Sequence, residues 1–120
     1  MRKSAHLAAC KRARKVLFRH LTRTQRTLYK THNHVKVKSQ LGNEYLVCPW
    51  RIYRIKDGYI IASICFVPEE DDDLPDDDLV LSKILILKGA EWYMLKRATK
   101  IRVYKPIPWK QFIYGPLNLG

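Results

Sequence analysis

Between Met1 and Asn43 the chain has no acidic residue. That stretch carries Arg2, Lys3, Lys11, Arg12, Arg14, Lys15, Arg19, Arg23, Arg26, Lys30, Lys36 and Lys38, twelve of the 23 basic residues, so its charge has no partner nearby in sequence. From Glu44 onward eleven bases face eleven acids, and the whole formal charge of +12 therefore belongs to this arm. A polycation of such density repels itself. It is expected to be solvated when alone, or laid against a polyanion whose condensed counterions it displaces.

Other absences narrow the class further. The three cysteines, Cys10, Cys48 and Cys65, form no C-x-x-C pair and no repeated framework, so reduced thiols are expected rather than a disulfide scaffold. The longest apolar run, Tyr59 to Val67, is interrupted by Ser63 and ends at Pro68, well short of the roughly 20 residues a membrane-spanning helix needs. His6, His20, His32 and His34 all lie in the arm, and neither the His32/His34 pair nor His6 with Cys10 completes the four-ligand spacing of a zinc site. Imidazoles in this company suit contacts with bases and phosphates, and no metal is expected. A nucleophile with its base, paired carboxylates in an apolar setting and a Gly-rich phosphate loop are also missing, which points to a non-catalytic protein without a cofactor.

What is present divides the 120 residues into three parts. Residues 1–43 read as a mostly helical basic arm. Leu7, Cys10, Ala13, Leu17, Leu21, Thr24 and Leu28 recur at intervals of three and four, placing them on one stripe of a helix from about Ser4 to about Lys30, with bases on the other faces. An amphipathic helix on an anionic membrane has a similar pattern, but here the stripe is diluted by Ala, Cys and Thr, and Trp is absent from the arm. The Arg-rich, acid-free, hydroxyl-bearing N-terminus has the composition both of a mitochondrial transit peptide and of a ribosomal arm.

Residues 44–105 read as a small antiparallel β domain. Removing the arm leaves 120 − 43 = 77 residues, and a body of that size buries only about 60% of its unfolded surface, which an assembly partner would supplement. The boundary is set at Glu44, where the hydrophobic period shifts from 3.6 to 2, so the β body is expected to survive removal of the arm. Asp57-Gly58 sits between two strand-like runs, Trp50 to Lys56 and Tyr59 to Val67, and predicts a two-residue hairpin with Lys56 opposite Tyr59. One face would then carry Tyr53, Ile55, Ile60, Ala62, Ile64 and Phe66. The other would carry Trp50, Ile52, Arg54, Lys56, Tyr59, Ile61 and Cys65. The acidic loop at 68–78 lacks the glycine and alternating ligands of a calcium loop and reads as a solvated face or a grip on a basic protein. Leu79 to Leu87, Glu91 to Leu95 and Lys100 to Tyr104 are read as three further strands.

After Glu91 there is no further acid, and Lys96, Arg97, Lys100, Arg102, Lys105 and Lys110 interleave with Tyr104, Trp109, Phe112 and Tyr114. Such a zone can meet phosphates and stack on unpaired bases. Ile107, Trp109, Phe112 and Ile113 are assigned instead to closing the core. Residues 106–120, with three prolines and two glycines, read as an extended tail.

The expected fold is α+β: a basic helical arm, an antiparallel sheet or five-stranded barrel-like body, and the tail. The expected function is an RNA-binding structural subunit of a ribonucleoprotein, ribosomal and perhaps mitochondrial, meeting rRNA phosphates through the twelve arm bases with Lys100, Arg102 and Lys105. Its address would be the mitochondrial matrix or another intracellular ribonucleoprotein compartment, among neighbouring proteins and without a small-molecule substrate. The alternative is a non-catalytic accessory subunit of a membrane-associated or multiprotein complex, its arm on anionic lipid or acidic protein.

Overall fold

A computed structural model describes residues 2–65 and 74–115, excluding the side chains of Arg2, Lys3, Ser4 and Tyr104. The fold is α+β, with five helices and five strands among the described residues. In chain order these are α1 (Arg2–Arg19), α2 (Arg23–His32), β1 (Val35–Lys38), β2 (Glu44–Val47), β3 (Ile52–Lys56), β4 (Tyr59–Cys65), α3 (Asp76–Gly89), α4 (Glu91–Arg97), β5 (Thr99–Pro108) and α5 (Trp109–Tyr114).

The strands form an antiparallel meander in the order β1-β2-β3-β4-β5. It is an open sheet with β1 and β5 at its edges, rather than a barrel. The hairpin at Asp57-Gly58 has the expected register, Lys56 opposite Tyr59, with φ of 53° at Asp57 and 84° at Gly58. Both values lie where Gly and Asp are tolerated and most side chains are strained. The two expected faces need correction. Ile61 is skipped in the pairing of β3 with β4, so Arg54 faces Ala62 while Ile55 faces Ile60. This bulge switches the parity of β4, a change that alternation alone does not encode. Ile52, Ala62 and Ile64 therefore share one face, and Ile55 and Ile60 the other. Phe66 and Val67 lie outside the described residues.

Both faces of the sheet are covered. On one side Val35, Val37, Tyr45, Val47, Ile52 and Ile64 pack against Leu17, Leu21 and Tyr29 of the arm and against Val80, Ile84, Leu87 and Met94. On the other, Leu46, Ile55 and Ile60 meet Tyr53, Val103, Ile107, Trp109, Phe112 and Ile113, as assigned for the C-terminal aromatic and aliphatic set.

The arm is thus part of the core. The boundary expected at Glu44 falls inside the β1–β2 hairpin, where Val37 pairs with Tyr45 and Lys38 with Glu44. A chain starting at Glu44 would lose Leu17, Leu21, Tyr29, Val35 and Val37 together, because arm and body share one core. The single helix expected over Ser4 to Lys30 is two. Thr22 accepts the Gln25 N–H at 3.2 Å, and the Gln25 side chain accepts the Thr22 N–H at 2.9 Å. That reciprocal cap starts α2 and ends continuity with α1.

Three C-terminal expectations also change. Leu79 to Leu87 is helical, because Pro75 and Asp76, Asp77 and Asp78 give α3 a favourable N-terminus and Val80, Ile84 and Leu87 are buried at helical spacing. Glu91 to Leu95 lies in α4, which begins where α3 ends at Ala90. Part of the expected tail is structured: β5 runs to Pro108 and α5 covers Trp109–Tyr114, while 116–120 lie outside the described residues. Asp76 to Asp78 belong to α3, and the rest of the acidic run, to position 73, is likewise outside them.

Candidate nucleic-acid interface

The arm bases fall into two groups once the chain is folded. Lys11, Arg12, Lys15 and Arg19 on α1, Arg23, Arg26 and Lys30 on α2, and Lys38 on β1 have exposed side chains. Among the described residues none of these eight has an acidic group within ion-pair distance. Arg26 directs its Nε–H to the Phe18 carbonyl at 2.9 Å, which ties α2 to the end of α1, and the Lys30 ammonium lies 5.3 Å from the Phe18 ring centre. Arg12, Lys15 and Arg19 have no such tie among the described residues, and their side chains are exposed.

Arg14 and Lys36 are engaged within the fold. Arg14 donates from Nε to Asp77 Oδ2 at 2.9 Å and from Nη2 to Oδ1 at 3.4 Å, and Tyr29 O–H donates to the same carboxylate. This triad joins α1, α2 and α3. The hydrogen bond to Asp77 holds the Arg14 guanidinium above its ordinary pKa, against a smaller opposing effect of burial. Burial, then the bond to Asp77, pushes the Tyr29 phenol well above 10. Lys36 pairs with Glu44 at 2.8 Å and lies over the Trp109 ring at 4.9 Å.

A second buried carboxylate does similar work. Glu91, fully buried at the start of α4, accepts from the Leu41 N–H at 3.2 Å, Asn43 Nδ2 at 2.9 Å and Tyr45 O–H at 2.6 Å. Burial pushes its pKa up, yet these donors, with Ser39, together hold it below the usual carboxylate range. Burial and the bond to Glu91 raise Tyr45 to about 12. Arg54, half-buried, lies over the Tyr45 ring and donates to Asn43 Oδ1 at 2.9 Å. Sequence reasoning placed Asp77 in a solvated acidic loop and Glu91 in a strand. Helix N-termini supply the signal for their roles, but only α3 and α4 correctly assigned would make it readable.

Of the C-terminal bases, Lys100, Arg102 and Lys105 are exposed on β5, at the edge of the sheet opposite β1. They form a zone separated from the β1 bases by the width of the sheet, roughly 19 Å for four inter-strand steps. The part of the C-terminal zone that does meet the arm is α5. His32 lies edge-on to Tyr114 at 4.6 Å and His34 to Phe112 at 6.3 Å. Burial, only partly opposed by the hydrogen bond with the His32 carbonyl, lowers the His34 pKa from its ordinary 6.5. No group of three or more metal-ligating side chains occurs among the described residues.

The molecule is therefore an α+β protein with an open five-stranded meander and a cationic helical layer. Compared with protein-family models, with curated proteins and with solved structures, the chain matches none, and its function is argued from its own residues.

Proposed function

We propose that this protein is an RNA-binding structural subunit of a ribonucleoprotein, ribosomal and mitochondrial or of another intracellular compartment, that meets rRNA phosphates through α1 and α2. The observation carrying this reading is the set of eight exposed bases on α1, α2 and β1 without an acidic partner among the described residues. A neutral surface would offer a polyanion nothing to hold; this one offers it unpaired cations. Arginine suits the role, because its planar fork makes two hydrogen bonds to a phosphate. Arg14 and Lys36 act within the fold and are assigned no phosphate.

A place among neighbouring proteins is supported by large apolar side chains left open on the far helices. Leu85 is 49% exposed and Trp92 63%, and groups of this size at a surface mark contact sites more often when they cluster. No helix among the described residues is long and apolar enough to cross a membrane. The accessory-subunit reading retains one specific support, the exposure of Leu7 and Val16 on α1, which gives that helix some apolar surface beside its bases.

Salt titration against structured RNA tests the proposal. With five to eight phosphates neutralised, the log-log slope of affinity against salt should lie at roughly −4 to −7. A slope near −2, or equal affinity for anionic vesicles and RNA, would refute it in favour of the accessory subunit.

A further inference from the structure

Between α2 and α5 lies a cleft of about 370 Å³ whose lining combines Arg23, Thr24, Thr27, Leu28 and Thr31 from the arm with Trp109 and Tyr114 from the C-terminal zone. It is the place where the two basic, aromatic stretches of the sequence meet. We propose that this cleft holds one unpaired nucleobase of an RNA strand, with a preference for bases that carry an exocyclic amino group. The inference rests on the RNA-binding reading above and adds a site of base contact to it.

The chemistry follows from what each wall offers. Trp109 and Tyr114 supply ring surface, and bases stack on such rings whatever their identity. Trp109 is held in place at its backbone, where its N–H donates to the Gly58 carbonyl at 3.0 Å, so the β3–β4 hairpin positions the ring. The Lys36 and Lys110 ammonium groups lie 4.9 and 5.8 Å from that ring's centre, and Arg23 is exposed at the rim. A base entering here would bring its phosphates near two cations, Arg23 and Lys110, since Lys36 is paired with Glu44. The volume lies at the lower end of the range for small-ligand pockets, about 300 to 1,000 Å³, as suits a single nucleotide.

The amino preference comes from the threonines. Thr27 Oγ1 donates to the Arg23 carbonyl at 3.1 Å, and Thr31 Oγ1 donates to the Thr27 carbonyl at 2.8 Å. The Thr27 proton points back into the helix, so toward the cleft its oxygen can only accept, while the Thr31 oxygen also lies 2.9 Å from His32 Nδ1. Cytosine presents an amino donor where uracil presents a carbonyl. Opposed to the Thr27 oxygen, uracil would leave oxygen facing oxygen, an unpaired polar contact that disfavours it relative to cytosine.

The test uses the full chain with labelled short oligocytidylate and oligouridylate, a structured RNA and free cytidine monophosphate, read by fluorescence anisotropy. Oligocytidylate should bind more tightly than oligouridylate. Replacing both threonines (Thr27→Val with Thr31→Val) should abolish that preference while changing affinity for structured RNA less than about twofold. Tyr114→Leu should weaken oligocytidylate by roughly tenfold, the loss of one stacked base. Thermal unfolding of each variant confirms that the fold persists. Equal binding of the two oligonucleotides by the unaltered protein, or an intact preference in the threonine variant, would overturn the proposal. So would free cytidine monophosphate binding as tightly as the oligonucleotide, since the ligand would then be a mononucleotide. If structured RNA binds with a steep salt slope but the oligonucleotide preference is absent, the cleft alone fails. If structured RNA shows no steep slope, the underlying RNA-binding reading fails with it.

Discussion

Asp77→Ala isolates the triad that fastens the arm to the body. The carboxylate accepts from Tyr29, whose ring and hydroxyl are 2% exposed, and from Arg14, whose side chain is 51% exposed. Removing it leaves the tyrosine hydroxyl buried without an acceptor, a penalty of about 1 to 3 kcal/mol. The half-solvated ion pair adds only about 0 to 1 kcal/mol, because water re-solvates the guanidinium. Loss of a negative charge from the first turn of α3 contributes roughly another 0.3 to 1 kcal/mol. The buried hydroxyl therefore dominates, and the total lies at about 2 to 4 kcal/mol. For a chain of this size that lowers the melting temperature by roughly 8 to 15 °C. Circular dichroism melts read the effect. Tyr29→Phe removes the orphan in advance, so the double variant should be less destabilised than the sum of the singles by about 1 kcal/mol or more. A melting temperature within about 2 °C of the parent, or strict additivity, would refute the triad as the fastening point.

Arg12→Gln should leave thermal stability unchanged and reduce the salt slope of RNA binding by about 1, whereas Arg14→Gln should lower stability and leave the slope alone; melts and salt titrations on both check the division. Gly58→Val should destabilise by about 1 to 3 kcal/mol through backbone strain alone, since φ is +84° while nothing lies within 4 Å of the added Cβ; Gly58→Asn, which tolerates that φ, should retain most of the stability in the same chemical denaturation series. On the alkaline side, Tyr45 is raised from 10.0 to about 12, so its contribution is complete below pH 10 and is lost as pH rises toward 12. Melting temperature should fall over that window, and Tyr45→Phe should flatten the fall. On the acid side, the depressed pKa of half-buried His34 makes its contribution complete above its ordinary 6.5 and lost as pH falls below it; His34→Gln should remove that part of the acid loss in pH-dependent melts.

The parts of the fold that were legible in sequence are those set by local chemistry. Asp57-Gly58 announced its turn because few other residues accept two successive positive φ values. The stripe Ala13, Leu17 and Leu21 announced a buried helix face, although it docks within the chain. The strand assigned to Leu79–Leu87 failed because the usual pattern is inverted there: Lys83 is buried, its ammonium donating to the Pro49 carbonyl at 2.8 Å, while Leu85 is exposed. The helical spacing of Val80, Ile84 and Leu87 is masked there by apolar residues on the exposed face and a lysine on the buried one. Thr22 and Gln25 form a capping signature visible in sequence, but the apolar stripe continues across it and joins two helices into one. Ile61 gives no sign of its bulge. For the interface, charge was legible and engagement was not, since the partners of Arg14 and Lys36 are fixed by tertiary contacts.

The distance along the chain between Arg14 and Asp77 also sets an order of events. Each strand of the meander pairs with its neighbour in sequence, so the sheet grows as the chain lengthens, whereas the arm's fastening carboxylate follows Arg14 by 63 residues. At a synthesis rate of about 5 to 20 residues per second, roughly 3 to 13 s pass between the two. Throughout that interval the nascent chain displays its polycation with Arg14 still unpaired. Docking of α1 onto α3 can therefore be completed only after Asp77 has been made, which turns the fastening of the arm into a late step of folding.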